Sequence, residues 1–76
     1  MSKKRGRLPA LKPMEVIQVL ERNGFRRITK RKKHRIYTDG THIVPVPYHG
    51  RDLKAGTLRS IIRQAGWTVE EFLRRL

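Results

Sequence analysis

The sequence predicts an α+β domain in which one helix, three antiparallel strands and two further helices follow in order. Apolar residues recur at helical spacing over residues 13–23 and again over 58–65. Between them, residues 34–46 read as two strands joined at Asp39-Gly40, a pair typical of a hairpin. A chain of 76 residues allows one small core. We therefore expect a three-stranded antiparallel sheet with the helices packed on one face.

Start and stop signals bound the first helix at about Pro13 and Asn23. Proline suits the first turn, where its missing N–H costs nothing, and Asn23-Gly24 is typical of a left-handed cap. A short strand is expected next, over residues 25–29.

The second and third helices follow a loop over residues 47–56. An apolar stripe predicts the second helix, and Gly66 closes it; the stripe consists of Leu58, Ile61, Ile62 and Ala65. Thr68 and Glu71 have the spacing of a capping box, and Trp67 with Phe72 that of a hydrophobic staple. These signals predict a short third helix.

The hairpin is expected to pair residues 34–37 with residues 42–46 through a four-residue loop, Thr38 to Thr41. The longer loop turns Pro45 outward on an edge strand, where a missing N–H is tolerated. In this register Ile36 faces Ile43, and His34 lies near Pro45.

This register also predicts which side chains share a face of the sheet. We expect His34 at the rim of the apolar face, with Arg35 and Tyr37 pointing the other way. His42 is expected to be a surface strand residue facing Tyr37.

The charge of the chain predicts a polyanionic partner. There are 19 Lys and Arg residues against 6 Asp and Glu, a formal net charge of +13. A membrane surface is the rival polyanion, but the basic residues are spread over every element and do not line one helix. Residues 1–7 are expected to be a disordered basic arm, and residues 8–76 a single domain.

Composition also excludes several classes of protein. The absence of cysteine excludes a disulfide framework, a thiolate zinc site and a cysteine nucleophile. No apolar stretch is long enough for a signal peptide or a membrane span, so a cytoplasmic location is expected. The three histidines, with few carboxylates, do not have zinc-site spacing, and we expect neither a metal nor another cofactor.

An ordered set of short motifs resembles the HicA family of toxins, small mRNA interferases from toxin–antitoxin pairs. The pieces are Leu8-Pro9, Glu15-Val16-Ile17, Asn23-Gly24-Phe25, His34-Arg35-Ile36-Tyr37, Val44-Pro45, Pro47-Tyr48-His49, Leu53 to Ile61 and Gln64-Ala65-Gly66. The match extends over roughly Leu8 to Leu76, which is nearly everything beyond the basic arm. The resemblance implies a fold like the double-stranded RNA-binding domain.

The resemblance also implies that the first strand-borne histidine carries the chemistry. In the family that histidine usually ends a Gly-Ser-His triplet, and here the triplet position reads Lys32-Lys33-His34. The histidine matches, whereas two lysines stand where the family has small residues. They could supply direct charge to a phosphate, or mark a member with weakened activity.

RNA carries its own nucleophile, the 2′-hydroxyl, so a metal-free ribonuclease needs a base, an acid and phosphate neutralisation. We assign His34 as general base or acid. His49 is a candidate for a second proton-transfer or RNA-orienting group. The expected RNA-binding residues are Lys30, Arg31, Lys32, Lys33, Arg35, Tyr37 and Tyr48.

Each assignment has a structural alternative. His34 could be a polar residue at a strand edge, and His49 could pack its loop through a hydrogen bond. The two tyrosines could serve the core or its rim rather than stack on bases. Gly56-Thr57 could bind a phosphate through free N–H groups or simply start a helix.

The resulting hypothesis is a metal-independent endoribonuclease toxin that cleaves mRNA and stops translation. The resemblance implies a cognate HicB-type antitoxin, with DNA contacted only through that partner. A non-catalytic RNA-binding module is the first alternative, and a DNA-binding accessory protein is a weaker one.

Overall fold

The computed structural model describes residues 8–29 and 31–76, and in them the predicted order of elements is confirmed. The elements are α1 (Pro13–Arg22), β1 (Arg26–Arg27), β2 (His34–Thr38), β3 (Ile43–Pro47), α2 (Ala55–Gln64) and α3 (Val69–Arg75). The strands form one antiparallel sheet in the order β1-β2-β3. The predicted basic arm, residues 1–7, lies outside the described residues.

Both longer helices end in the same hydrogen-bonded cap, each built on a glycine with positive φ. After α1, the N–H of Phe25 donates to Leu20 O at 3.0 Å, and Gly24 has φ +92°. After α2, the N–H of Trp67 donates to Ile62 O at 3.1 Å, and Gly66 has φ +85°. A bond of this span across a left-handed residue is the Schellman motif. The predicted stop signals are confirmed.

The predicted capping box and staple hold α3 in place. Thr68 N–H donates to Glu71 Oε1 at 2.8 Å, and Glu71 N–H donates to Thr68 Oγ1 at 3.1 Å. The Trp67 and Phe72 rings lie 6.3 Å apart between centroids. This short helix is therefore specified by its own first turn together with one apolar contact.

The core lies between the helices and one face of the sheet. The predicted α2 stripe is buried, as are α1 residues at helical spacing. The core side chains are Leu11, Val16, Ile17, Val19, Leu20, Phe25, Tyr37, Val44, Val46, Leu53, Leu58, Ile61, Ile62, Ala65 and Phe72. Helices α1 and α2 both contact β3.

The sheet face chosen by the core differs from the predicted one. Tyr37, Val44 and Val46 are buried against the helices, whereas Ile43 is 54% exposed. The expectation that Tyr37 and Arg35 point away from the apolar face, with His34 at its rim, is therefore wrong. Strands β2 and β3 carry apolar residues on both faces, so the alternation of side chains alone could not predict which face is buried. The buried face is the one that offers two valines and the tyrosine ring to the helices.

The hairpin register is displaced by two residues from the predicted one. Ile36 lies opposite Pro45 rather than Ile43, and His34 lies opposite Pro47. The loop has the predicted four residues, but they are Asp39 to His42. The Asp39 side chain explains the displacement, because its Oδ1 accepts from the N–H groups of Thr41 and His42, at 2.9 and 2.7 Å.

Candidate functional site

His34 is the first residue of β2, and its side chain is exposed on the face of the sheet turned away from the helices, called here the open face. Side chains alternate along a strand, so His34 lies opposite to the buried Tyr37. Its cross-strand partner is Pro47. His34 is thus accessible to a large substrate.

The basic run before His34 is also exposed. Arg31, Lys32 and Lys33 lead into β2 through a bend, and the N–H of Tyr48 donates to Lys33 O at 2.7 Å. That bond extends the β2–β3 ladder by one pair beyond His34 and holds the backbone of Lys33 in place. Lys30, also predicted to bind RNA, lies outside the described residues.

Arg35 and Tyr48 contact each other on the opposite side of β2 from His34. The Arg35 guanidinium carbon lies 3.7 Å from the centre of the Tyr48 ring, a cation–π contact. Arg35 is half-buried, and its Nε is buried without an acceptor among the described residues. One ring face of Tyr48 is therefore already covered by a cation.

Tyr37 cannot take the predicted role of stacking on an RNA base. Its side chain is 1% exposed and belongs to the core. A base can reach only a ring face that is open to solvent, so the alternative, core packing, is what the structure shows. Arg35 and Tyr48 remain predictions as RNA contacts.

His49 lies beside a cleft of about 390 Å³ that begins at the end of β3. The cleft is lined by Pro47, His49, Arg51, Asp52, Leu53, Lys54 and Thr57. The Arg51 N–H donates to His49 Nδ1 at 3.1 Å. An accepting Nδ1 places the proton of the neutral ring on Nε2. His49 therefore makes the loop-packing hydrogen bond and still carries a donor.

The cleft joins residues that sequence reasoning had not grouped. Pro47, the partner of His34 across the sheet, also lines the cleft that holds His49. Arg51 and Lys54 were not among the predicted site residues. The sequence signal that could have found them is their position just before the start of α2, where backbone N–H groups are free to meet an anion.

His42 is not the surface strand residue that was predicted. It lies in the hairpin loop, where its Nδ1 is 3.0 Å from Asp39 Oδ2. The bonds that Asp39 accepts, first from the backbone N–H of His42, then from its ring and from the N–H of Thr41, lower the pKa of this carboxyl. His42 also packs closely against Gly66.

Among residues 8–29 and 31–76, no cluster of three or more histidine, cysteine or acidic residues could hold a metal ion. In the same part of the chain, no helix has the length and apolar character needed to cross a membrane.

The described residues thus form a small α+β domain with an exposed strand histidine preceded by a basic run. Residues 14–67 match the family model described as the HicA toxin of bacterial toxin–antitoxin. The chain belongs to this family. No curated protein matches it.

Proposed function

We propose that this toxin is a metal-independent endoribonuclease that cleaves mRNA with His34 as a general acid or base. The observation that carries the proposal is the exposure of His34 on the open face, with lysines immediately before it and the His49 cleft beginning at its strand partner. Membership of a toxin family supplies the context.

The chemistry needs only groups that this chain and RNA supply. A base removes the proton of the 2′-hydroxyl, and the 2′-oxygen attacks the adjacent phosphorus. The bond from phosphorus to the 5′-oxygen breaks, and an acid gives that oxygen a proton. The products are a 2′,3′-cyclic phosphate and a 5′-hydroxyl. In the proposed mechanism His34 and His49 divide the two proton transfers.

Phosphate charge is the second requirement. Lys32 and Lys33 are exposed next to His34, and each could neutralise charge that builds on the phosphate oxygens. Arg35, held against the Tyr48 ring, is a less mobile cation two residues beyond Lys33. We assign the lysines to binding along the RNA strand; Arg35, whose side chain lies on the face of β2 opposite to His34, stays a separate predicted RNA contact.

The test is cleavage of a long, mostly unpaired RNA in excess EDTA, with His34→Ala beside the natural protein. We expect cleavage by the natural protein and loss of turnover by a factor of about 10² to 10⁴ in the variant, at unchanged RNA affinity. Arg63→Ala, an exposed change near the end of α2, is the matched control and should cleave normally.

Two outcomes would contradict the proposal. If the natural protein binds the RNA without cutting it, the domain is a non-catalytic RNA-binding module. Equal cleavage by the natural protein and His34→Ala would remove His34 from the mechanism. His49→Ala separates its two roles, since loss of turnover at normal stability identifies proton transfer and loss of stability alone identifies loop packing.

The toxin family implies an antitoxin partner. We propose that this partner is a HicB-type protein, that it blocks the surface around His34, and that DNA is contacted only through it. An acidic surface on the partner would suit the +13 charge and associate quickly through electrostatic steering. Expression of the toxin with and without the neighbouring gene product tests this: growth should stop only without it.

A further inference from the structure

The open face of the sheet carries an apolar patch beside His34. Its members, called here the isoleucine patch, are Ile28, Ile36, Ile43 and Pro45. The Ile28 N–H donates to Ile36 O at 2.8 Å, and Ile36 lies opposite Pro45, so these three form one row across the sheet. Ile43 precedes Pro45 by two residues and shares its face.

The patch is accessible. Ile28 is 49% exposed and Ile43 is 54% exposed, and they are two of the four large hydrophobic residues exposed in the described part of the chain. The other two, Met14 and Leu76, lie on α1 and just after α3. Clustered exposed apolar side chains on a small, highly charged protein indicate an interaction site.

The β3 edge of the sheet, beside Ile43 and Pro45, is unfavourable for strand addition. The inward bond from Tyr48 N–H to Lys33 O places Pro45 and Pro47 at the alternate, outward-facing positions of β3. Neither proline has an N–H to donate to an added strand. A partner that meets this edge is therefore expected to bind the open face through side chains instead of adding a strand.

The charge around the patch restricts what that partner can be. Arg26 lies on the same face as Ile28, at one end of the patch. His34 also lies on this face, two residues before Ile36, at the other end. A second copy of this chain would bring another +13 charge to the surface, which opposes a stable dimer. RNA would meet the cations, but isoleucine offers it neither charge nor an aromatic ring.

We propose that the isoleucine patch is the apolar anchor for the antitoxin protein, whose matching surface has an apolar centre and an acidic rim. This inference rests on the antitoxin partnership proposed above. A stable interface covers about 800 Å² on each protein, more than these four side chains offer. The partner therefore extends over the neighbouring Arg26 and His34, so that binding and blocking of the site use one surface.

The experiment measures the affinity of the antitoxin encoded with this chain for the double variant Ile28→Thr/Ile43→Thr. Threonine keeps the β-branched shape that a strand prefers and leaves the charge at +13. We expect complex formation to weaken on the order of 10-fold for each isoleucine, from the apolar area lost to the interface. RNA cleavage and the circular dichroism spectrum should remain as in the natural protein.

Met14→Gln is the matched control, because it removes an exposed apolar side chain on α1 without touching the sheet. Its antitoxin affinity should be unchanged. A second readout is salt: at about 1 M, where charges are screened beyond about 3 Å, the natural protein should retain measurable affinity and the double variant should lose it.

Three results would overturn the inference. One is equal antitoxin affinity of the natural protein and the double variant. Another is loss of RNA cleavage by the folded double variant with normal antitoxin binding, which would assign the patch to RNA. The third is a dimer of the natural protein that the double variant abolishes. Failure of the proposed ribonuclease activity would show separately, because antitoxin affinity is measured without RNA.

Discussion

At the scale of single residues, Tyr37 and Tyr48 show how two similar side chains take different roles. Tyr37 is buried in the core, whereas Tyr48 is half-buried under the Arg35 guanidinium. A change at Tyr37 therefore acts on stability, and a change at Tyr48 acts on Arg35, a predicted RNA contact.

We expect Tyr37→Ala to lower the free energy of unfolding by about 3–5 kcal/mol, because truncating a buried aromatic ring leaves a cavity. Tyr48→Ala should cost much less, since its ring is partly solvated. Urea unfolding of both variants measures the difference. Equal, small losses in the two would show that Tyr37 is not a core residue.

The lowered pKa of Asp39 predicts that the free energy of unfolding depends on pH in the acid range. Bonds to Asp39, from the His42 backbone first, hold the pKa of this carboxyl well below its ordinary value of 3.8. A depressed pKa contributes stability above the unfolded value, and that contribution is lost as pH falls from about 4 towards the folded pKa.

We therefore expect the free energy of unfolding to fall between about pH 4 and pH 2, and less steeply in Asp39→Asn, which does not titrate there. His42→Ala is the control: it removes the ring but keeps the backbone N–H, so most of the slope should persist. Urea unfolding across this range measures the slopes. An unchanged slope in Asp39→Asn would refute the assignment.

At the scale of elements, the two Schellman glycines have the same backbone conformation but different surroundings. A Cβ on Gly24 would meet nothing within 4 Å, whereas one on Gly66 would lie 2.5 Å from His42 Nε2. Gly66 is thus packed against the hairpin loop, whereas the space beside Gly24 is open.

Gly24→Ala should cost about 1–2 kcal/mol of unfolding free energy, the cost of a side chain in the left-handed region. Gly66→Ala should cost more, because the ring of His42 must also move. In a protein that already carries His42→Ala, the further change Gly66→Ala should cost about as much unfolding free energy as Gly24→Ala costs in the natural protein. If Gly66→Ala and Gly24→Ala are equally destabilising by urea unfolding, the loop does not pack on this cap.

At the scale of the whole molecule, the net charge of +13 predicts that RNA binding is strongly salt-dependent. Each phosphate neutralised on a single strand contributes about −0.7 to the slope of log K against log salt. Lys32→Ala and Lys33→Ala should each reduce that slope by roughly one phosphate contact, whereas Arg63→Ala should change it little. Fluorescence anisotropy with a labelled RNA measures the slopes, and identical slopes in all variants would place the RNA elsewhere.

Local signals predicted the elements well because they depend on neighbours in the chain. The start at Pro13, the glycine caps, the α2 stripe and the Thr68–Glu71 box are all contained within a few residues. The first strand was predicted over residues 25–29 but spans Arg26–Arg27, since Phe25 turns into the core instead. Helix α2 begins at Ala55, inside the predicted loop.

The candidate site was predicted in part. The exposure of His34 and of the lysines before it agrees with their proposed roles, which remain predictions. Tyr37 was misplaced because the choice of buried face depends on residues far along the chain. The cleft between the end of β3 and the start of α2 could not be read from either segment alone.

The sequence by itself determined the class of fold, the order of its elements and the basic character of its surface. Each of these follows from composition, periodicity and caps, which act over a turn of helix or a pair of strand residues. The tertiary structure alone decided which face of the sheet is buried, and with it that Tyr37 packs inside while Ile28 and Ile43 remain exposed. Either face of the sheet could have been covered. Close packing of side chains between the helices and the sheet decided which face became the core.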